Sequence, residues 1–199
     1  MAQKLKRIGI FGGSFDPPHV GHLVIAETVR RSEDLDIVYF VPAYKPPHKE
    51  GTHPSTARDR LAMTKLSVHG NRKLKVSDIE LRRKGISYTV DTVRSFRKRF
   101  PSAELFLIIG SDSLRQFHSW RSPGGILAET SLIVYRRPRS GPINARLHSR
   151  DVSFVKGPLM EVSSSDIRKR IRQGKSIRYY VRNTVLSFIK KKKLYSNLT

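Results

Sequence analysis

Short runs of apolar, β-branched residues alternate along the chain with longer segments whose apolar positions recur at helical spacing. The runs at 7–11, 37–42, 73–77, 105–109, 131–135 and 152–154 predict strands. The segments 19–31, 56–68, 89–100, 111–117, 164–173 and 182–191 predict helices. In Leu105-Phe106-Leu107-Ile108-Ile109 every position is apolar, the pattern of a strand covered on both faces. Regular alternation of strand and helix predicts an α/β fold. The expected form is a doubly wound parallel sheet with right-handed crossovers, helices on both faces and a small C-terminal helical subregion over about 164–199. Ligands in such sheets bind beyond the carboxyl ends of the strands. No repeat or low-complexity linker interrupts the 199 residues, which read as one domain. The stretches 42–54 and 136–149 read as loops, the first long enough for a flap over a site.

The first strand-to-helix passage is Gly12-Gly13-Ser14-Phe15-Asp16-Pro17-Pro18-His19-Val20-Gly21-His22. It reads as a glycine turn, whose backbone amides can approach a phosphate, followed by a helix N-terminus with its partial positive charge. His19 and His22, three apart, share one face of the first helical turn, where imidazoles can donate to phosphate oxygens. That combination predicts a triphosphate site. The same spacing suits two metal ligands, but no third ligand follows nearby, so no metal site is expected.

Charge and cysteine usage narrow the partners. The chain carries 39 Lys and Arg against 16 Asp and Glu, a formal net charge of +23. Such an excess draws anionic ligands and makes nucleic acid an alternative partner. The basic residues are spread out, however, and only Lys190-Lys191-Lys192-Lys193 forms a tight run. Charge of this kind predicts solvated surface, with non-specific nucleic-acid binding as a side effect. The absence of cysteine excludes disulfides, thiolate nucleophiles and Cys-ligated zinc, and suits a cytoplasmic location. No stretch approaches membrane-spanning length.

Further residues fall where strands should end. Lys45 and Lys49, in Tyr44-Lys45-Pro46-Pro47-His48-Lys49, place point charges on an extended loop. Thr89 opens an amphipathic helix, where a cap and an anion site are the same physics. Asp112, in Gly110-Ser111-Asp112, is an N-cap on local grounds alone. Trp120, the one tryptophan, stands in the polar run His118-Ser119-Trp120-Arg121, where its ring can stack on a ligand or pack on the core. In Val162-Ser163-Ser164-Ser165-Asp166-Ile167-Arg168 the serines cap a helix, and Arg168 one turn in makes a second anion site.

The His19-Val20-Gly21-His22 run resembles the (H/T)-x-G-H signature of a nucleotidyltransferase superfamily. With Pro46-Pro47-His48-Lys49, Phe117-His118-Ser119-Trp120 and the serine-rich motif ending at Arg168, the whole chain resembles the bacterial nicotinate mononucleotide adenylyltransferases. The serine motif departs from the superfamily's I-S-S-T-x-I-R only by Val162 and Ser165.

The resemblance implies a Rossmann-like fold and adenylyl transfer from ATP to nicotinate mononucleotide, a step of NAD biosynthesis. It implies catalytic roles for His19, His22, Lys49 and Arg168 on the phosphates. Gly12, Gly13, Ser14, Phe15, Gly21, Asp112, Ser164, Ser165, Ile167 and Arg137 would bind ATP, and Lys45, Thr89 and Trp120 the mononucleotide. Mg²⁺ would be held mainly through ATP phosphates. Two other readings stand beside this one. A pantetheine-phosphate adenylyltransferase normally has Thr at the first signature position and lacks the Pro-Pro-His-Lys and F-x-x-W segments. A basic nucleic-acid-binding protein would explain the charge alone. Preference between nicotinate and nicotinamide forms stays open, as does a homo-oligomer.

Overall fold

Alternating apolar strands that cannot leave either face in water assemble here into one sheet clothed by helices. A computed structural model describes residues 6–47, 54–136, 152–158 and 160–196. Among these the strands are β1 (Arg7–Gly13), β2 (Ile37–Pro42), β3 (Leu74–Val76), β4 (Glu104–Gly110), β5 (Ser131–Tyr135) and β6 (Val152–Val155). The helices are α1 (Val20–Ser32), α2 (Ala57–Val68), α3 (Ile79–Arg83), α4 (Thr89–Arg99), α5 (Ser111–Gln116), α6 (Pro123–Leu127), α7 (Ser164–Arg172) and α8 (Asn183–Lys191). A 3₁₀ turn covers Phe117–Ser119.

The six strands are parallel, in the order β3-β2-β1-β4-β5-β6. The chain runs outward from β1 to β3, then returns to lay β4 on the other side of β1. The winding therefore reverses between β1 and β4, the place where doubly wound sheets bind ligands. The β1–β4 ladder runs from Arg7↔Glu104 to Ile10↔Leu107, and both strands continue three residues past it. β1 meanwhile stays paired with β2 as far as Gly13↔Pro42. The parting of β1 from β4 opens a crevice at the carboxyl edge.

Strand side chains alternate between two cores. Ile8, Ile10, Leu105, Leu107 and Ile109 face Val90, Val93 and Phe96 of α4. Phe11, Val38, Phe40, Phe106 and Ile108 face Ile25, Ala26 and Val29 of α1. Each fully buried large aliphatic side chain contributes roughly 1.5–3 kcal/mol. A third cluster joins Met63 of α2 to Ile167, Ile177, Val181, Val185, Ile189 and Tyr195, which anchors the C-terminal helices on the body.

The predicted elements are present, with differences at their ends. β1 runs on through Gly12 and Gly13, so the expected glycine turn is the end of a strand. Neither glycine has a positive φ; the left-handed residue of the following loop is Phe15, at φ 50°. The chain needs no side chain at Gly12 for another reason: a Cβ there would meet nothing within 4 Å, so the position faces open space. The helices α3 and α6, of five residues each, are too short to show a period in sequence.

Candidate active site

The loop after β1 delivers two histidines to the head of α1. His19 is the N-cap residue and is 7% exposed, while His22 is half-buried in the first turn. The His19 backbone N–H donates to His22 Nδ1 at 3.1 Å. The two rings stack at a 31° tilt with centroids 3.6 Å apart, and Phe15 meets His22 edge-on at 5.0 Å. Gly21 is small because a Cβ would approach His19 Nδ1 to 3.1 Å. The pair is therefore held by backbone, by stacking and by a close glycine.

The loop itself is gripped from below. Arg60 of α2 is 1% exposed and donates to three carbonyl oxygens: Ser14 at 3.0 Å, Ala43 at 2.6 Å and Tyr44 at 3.1 Å. One guanidinium thus ties the loop after β1 to the loop after β2. Burial pushes the Arg60 pKa down, opposed by nearby Asp16, Tyr195 and Glu80. From the C-terminal side, Arg168 of α7 donates to the Asp16 carbonyl at 2.7 Å and to Ser165 Oγ at 3.2 Å. Ser164 Oγ donates to the Pro17 carbonyl at 2.8 Å. The head of α7 is capped by Ser163, whose Oγ accepts from the Asp166 N–H at 3.1 Å. Two guanidinium groups thus face loop carbonyls, offsetting negative ends that would repel an arriving anion.

A second set of residues lies past β2 and β4. Lys45 is exposed and bridges to Ile86, its carbonyl accepting from the Ser87 N–H at 2.8 Å. The Tyr44 N–H donates to Ser87 Oγ at 2.8 Å. This places Lys45 against the entrance of α4, where its bonding partner Ser87 stands two residues before Thr89. Arg121 lies over the Tyr88 ring at 4.4 Å, which draws the segment carrying Trp120 to the same entrance. Trp120 is half-buried, with its ring 5.4 Å from that of Phe117. Beneath this entrance Glu80 is 6% exposed and accepts from Thr92 Oγ1 at 2.5 Å. Burial raises its pKa, an effect opposed by bonds from Ser87 and Thr92.

Several expected roles change. Ile167 is wholly buried among the C-terminal apolar residues, and its N–H donates to the Ser163 carbonyl at 3.1 Å. It packs the subregion and has no surface to offer a nucleotide. Thr89 is the first residue of α4 rather than its cap, which is Tyr88. Asp112 lies in the first turn of α5, exposed and paired with Arg115 at 2.5 Å, and the cap there is Gly110. Lys49 and Arg137 lie outside the described residues. Arg60 and Tyr195 carry no local signal in the sequence that marks them for the site, and Asp16 stands inside the signature run without being singled out there. Arg60 sits in Ala57-Arg58-Asp59-Arg60, which reads as a solvated helix face.

The loop, the paired imidazoles and the α7 cation are gathered beside a winding reversal of the sheet. The cytidylyltransferase-like family model matches residues 10–170, which contain nearly all of these groups. The chain belongs to the cytidylyltransferase-like family. Among curated relatives, a probable nicotinate-nucleotide adenylyltransferase of Salinibacter ruber is 43% identical over 191 residues, covering 94% of this chain and 97% of the relative. One from Exiguobacterium sibiricum is 42% identical over 193 residues, covering 96% and 99%. Among solved structures, the Plasmodium falciparum nicotinic acid mononucleotide adenylyltransferase complexed with NaAD superposes with a TM-score of 0.78. It is 19% identical, with 96% of this chain and 97% of that one covered, and shares the family's fold.

Among the described residues no cluster of three or more His, Asp or Glu gathers as for a metal, and no helix is long and apolar enough to cross a membrane.

Proposed function

We propose that this protein is a nicotinate-nucleotide adenylyltransferase, joining ATP and nicotinate mononucleotide to give nicotinate adenine dinucleotide and pyrophosphate. The observation that carries the reading is the stacked His19–His22 pair, fixed at the head of α1 just beyond the β1–β4 crevice. The full-length relatives carry that name, which supports the choice of substrates.

In this reaction a 5′-phosphate oxygen of the mononucleotide attacks the α-phosphorus of ATP. The bond from that phosphorus to the bridging oxygen breaks, and pyrophosphate leaves with the electron pair. A phosphate dianion is already a nucleophile, so no residue need remove a proton. Catalysis comes from alignment and from donors aimed at the charge that builds on the phosphoryl oxygens. His22 donates from Nε2, His19 holds the adjoining phosphate, and Arg168, one turn into α7, meets the departing charge. Gly12 leaves the crevice open for close approach of the triphosphate. Lys45, Thr89 and Trp120 receive the mononucleotide, with the indole ring against the pyridine. The family resemblance gives Lys49 a phosphate role and Arg137 an adenine role in the same reaction. Magnesium bound to ATP would be held mainly by the phosphates and water rather than by this chain's own side chains, and would supply shielding of the triphosphate charge. The surplus of basic residues adds a field that draws both anionic substrates.

The test is pyrophosphate release from ATP and Mg²⁺ with nicotinate mononucleotide, nicotinamide mononucleotide or phosphopantetheine offered separately. Release with nicotinate mononucleotide supports the proposal. Release only with phosphopantetheine replaces its second substrate, and silence with all three overturns it.

A further inference from the structure

We propose that Tyr195, at the far end of the chain, is a positioning residue of this site, acting through Asp16 on the loop that delivers His19. The proposal rests on the adenylyl-transfer reading for its kinetic consequences and on geometry for the rest.

Asp16 stands three residues before His19, and its side chain is 1% exposed. A carboxylate taken out of water requires donors. Two hydroxyls are among them: Tyr195 donates to Oδ1 at 2.6 Å, and Ser55 donates to the same oxygen. The Tyr195 hydroxyl also lies 3.4 Å from Ser55 Oγ and 3.8 Å from Met63 Sδ. On the opposite side of the same two residues, Arg168 and Ser164 hold the Asp16 and Pro17 carbonyls. The loop is thus clamped between α7 and the C-terminal tyrosine.

Tyr195 is itself fixed. It is 7% exposed and adopts φ 64°, a left-handed conformation that a bulky residue holds only when its surroundings enforce it. Its ring belongs to the apolar cluster of Met63, Ile167 and Val185, so the ring alone accounts for the packing. The hydroxyl is what reaches the loop. Burial, reinforced by the Asp16 charge, pushes the phenol pKa far up, so the group remains a donor.

Loss of that hydroxyl leaves the Asp16 carboxylate short of a buried donor. Its relief is to turn toward water, which displaces Pro17 and Pro18 and with them His19. His19 then leaves its stack with His22, and α7, bonded to the same loop, loses its distance from the histidines.

The test is Tyr195→Phe, which keeps the ring and removes the hydroxyl. Hydrogen exchange of the amides in 14–22 is expected to quicken while β4 keeps its protection. In the pyrophosphate assay kcat is expected to fall about tenfold or more. KM for the mononucleotide changes little, because its pocket lies at the α4 entrance. Measured in an Asp16→Asn background, the same substitution is expected to cost less, since a neutral amide needs its donor less than a carboxylate does. Wild-type exchange in 14–22, or losses that multiply across the two substitutions, overturns the proposal. If the unsubstituted protein releases no pyrophosphate, the adenylyl-transfer reading falls, and the exchange measurement alone still decides the positioning. If Tyr195→Phe does not fold, Ser55→Ala, which removes a second donor to the same oxygen, is read in the same exchange assay with the same two outcomes.

Discussion

The backbone N–H of His19 donates to Nδ1 of His22 at 3.1 Å, so one histidine of the pair sets the tautomer of the other. With its Nδ1 lone pair occupied, the neutral His22 ring carries its proton on Nε2. The stack with His19 and the edge contact from Phe15 then fix the direction of that N–H. A donor whose direction is fixed in advance is most valuable where charge develops during reaction. His22→Ala is expected to lower kcat about 10²- to 10³-fold, with circular dichroism unchanged. His22→Gln, whose amide reaches the Nε2 position, is expected to retain more. Equal activity of Ala and wild type in pyrophosphate release would remove His22 from the mechanism.

Trp120 combines packing with exposure. It rests on Phe117, yet remains half-exposed beside the segment held by Arg121 over Tyr88. If its free face receives the pyridine, Trp120→Ala raises KM for nicotinate mononucleotide about threefold to tenfold. KM for ATP is expected to stay near wild type, and Trp120→Phe to recover much of the loss. Equal increases for both substrates would show that the ring only packs.

These two residues were legible because their surroundings in sequence are unusual. Packing alone rarely puts a tryptophan in a polar run or two histidines behind a glycine-rich loop. The sheet was legible for a different reason: its central strand Leu105–Ile109 is apolar at every position, and strands alternate with helices along the whole chain. What escaped the sequence depends on contacts between distant segments. Arg60 lies among charged helix neighbours, and nothing local shows that it turns inward under Ser14, Ala43 and Tyr44. Tyr195 and Asp16 are separated by 179 residues and meet only once α8 has packed on α2. Ile167 misled in the opposite direction, since its place in a binding motif hid its role as a core residue.

Acid stability should carry the mark of Glu27. Hydrogen bonding to Arg30, with help from Arg31, holds its carboxyl down from 4.5 to about 2. A depressed folded-state pKa means that this contribution is complete above pH 4.5 and lost as pH falls toward 2. The carboxylate is partly solvated, so the contribution is no more than about 1 kcal/mol. Glu80 acts with the opposite sign, because burial raises its pKa and acid favours its folded state. The measurement is therefore a difference between wild type and Glu27→Gln in thermal unfolding at several pH values. The gap is expected to be widest at neutral pH and to close below pH 4.5; a gap independent of pH would rule out the ion pair as its cause.

Arg60 should matter more than any surface ion pair, because its three acceptors are backbone carbonyls held away from water. Truncation to alanine leaves those carbonyls without their donor and opens a void beneath two loops. At about 1 kcal/mol for each lost bond, Arg60→Ala is expected to cost roughly 2–4 kcal/mol in urea unfolding. Arg60→Lys keeps the charge but lacks the planar fork that spans Ser14 and Tyr44 at once. It is therefore expected to recover only part of the stability. The lysine variant also separates charge from geometry in turnover. If the buried cation acts only through its field, kcat returns with the charge. If it acts by holding the loop after β1 against the loop after β2, kcat stays low while the protein is folded, and the second outcome is the one its three bonds predict.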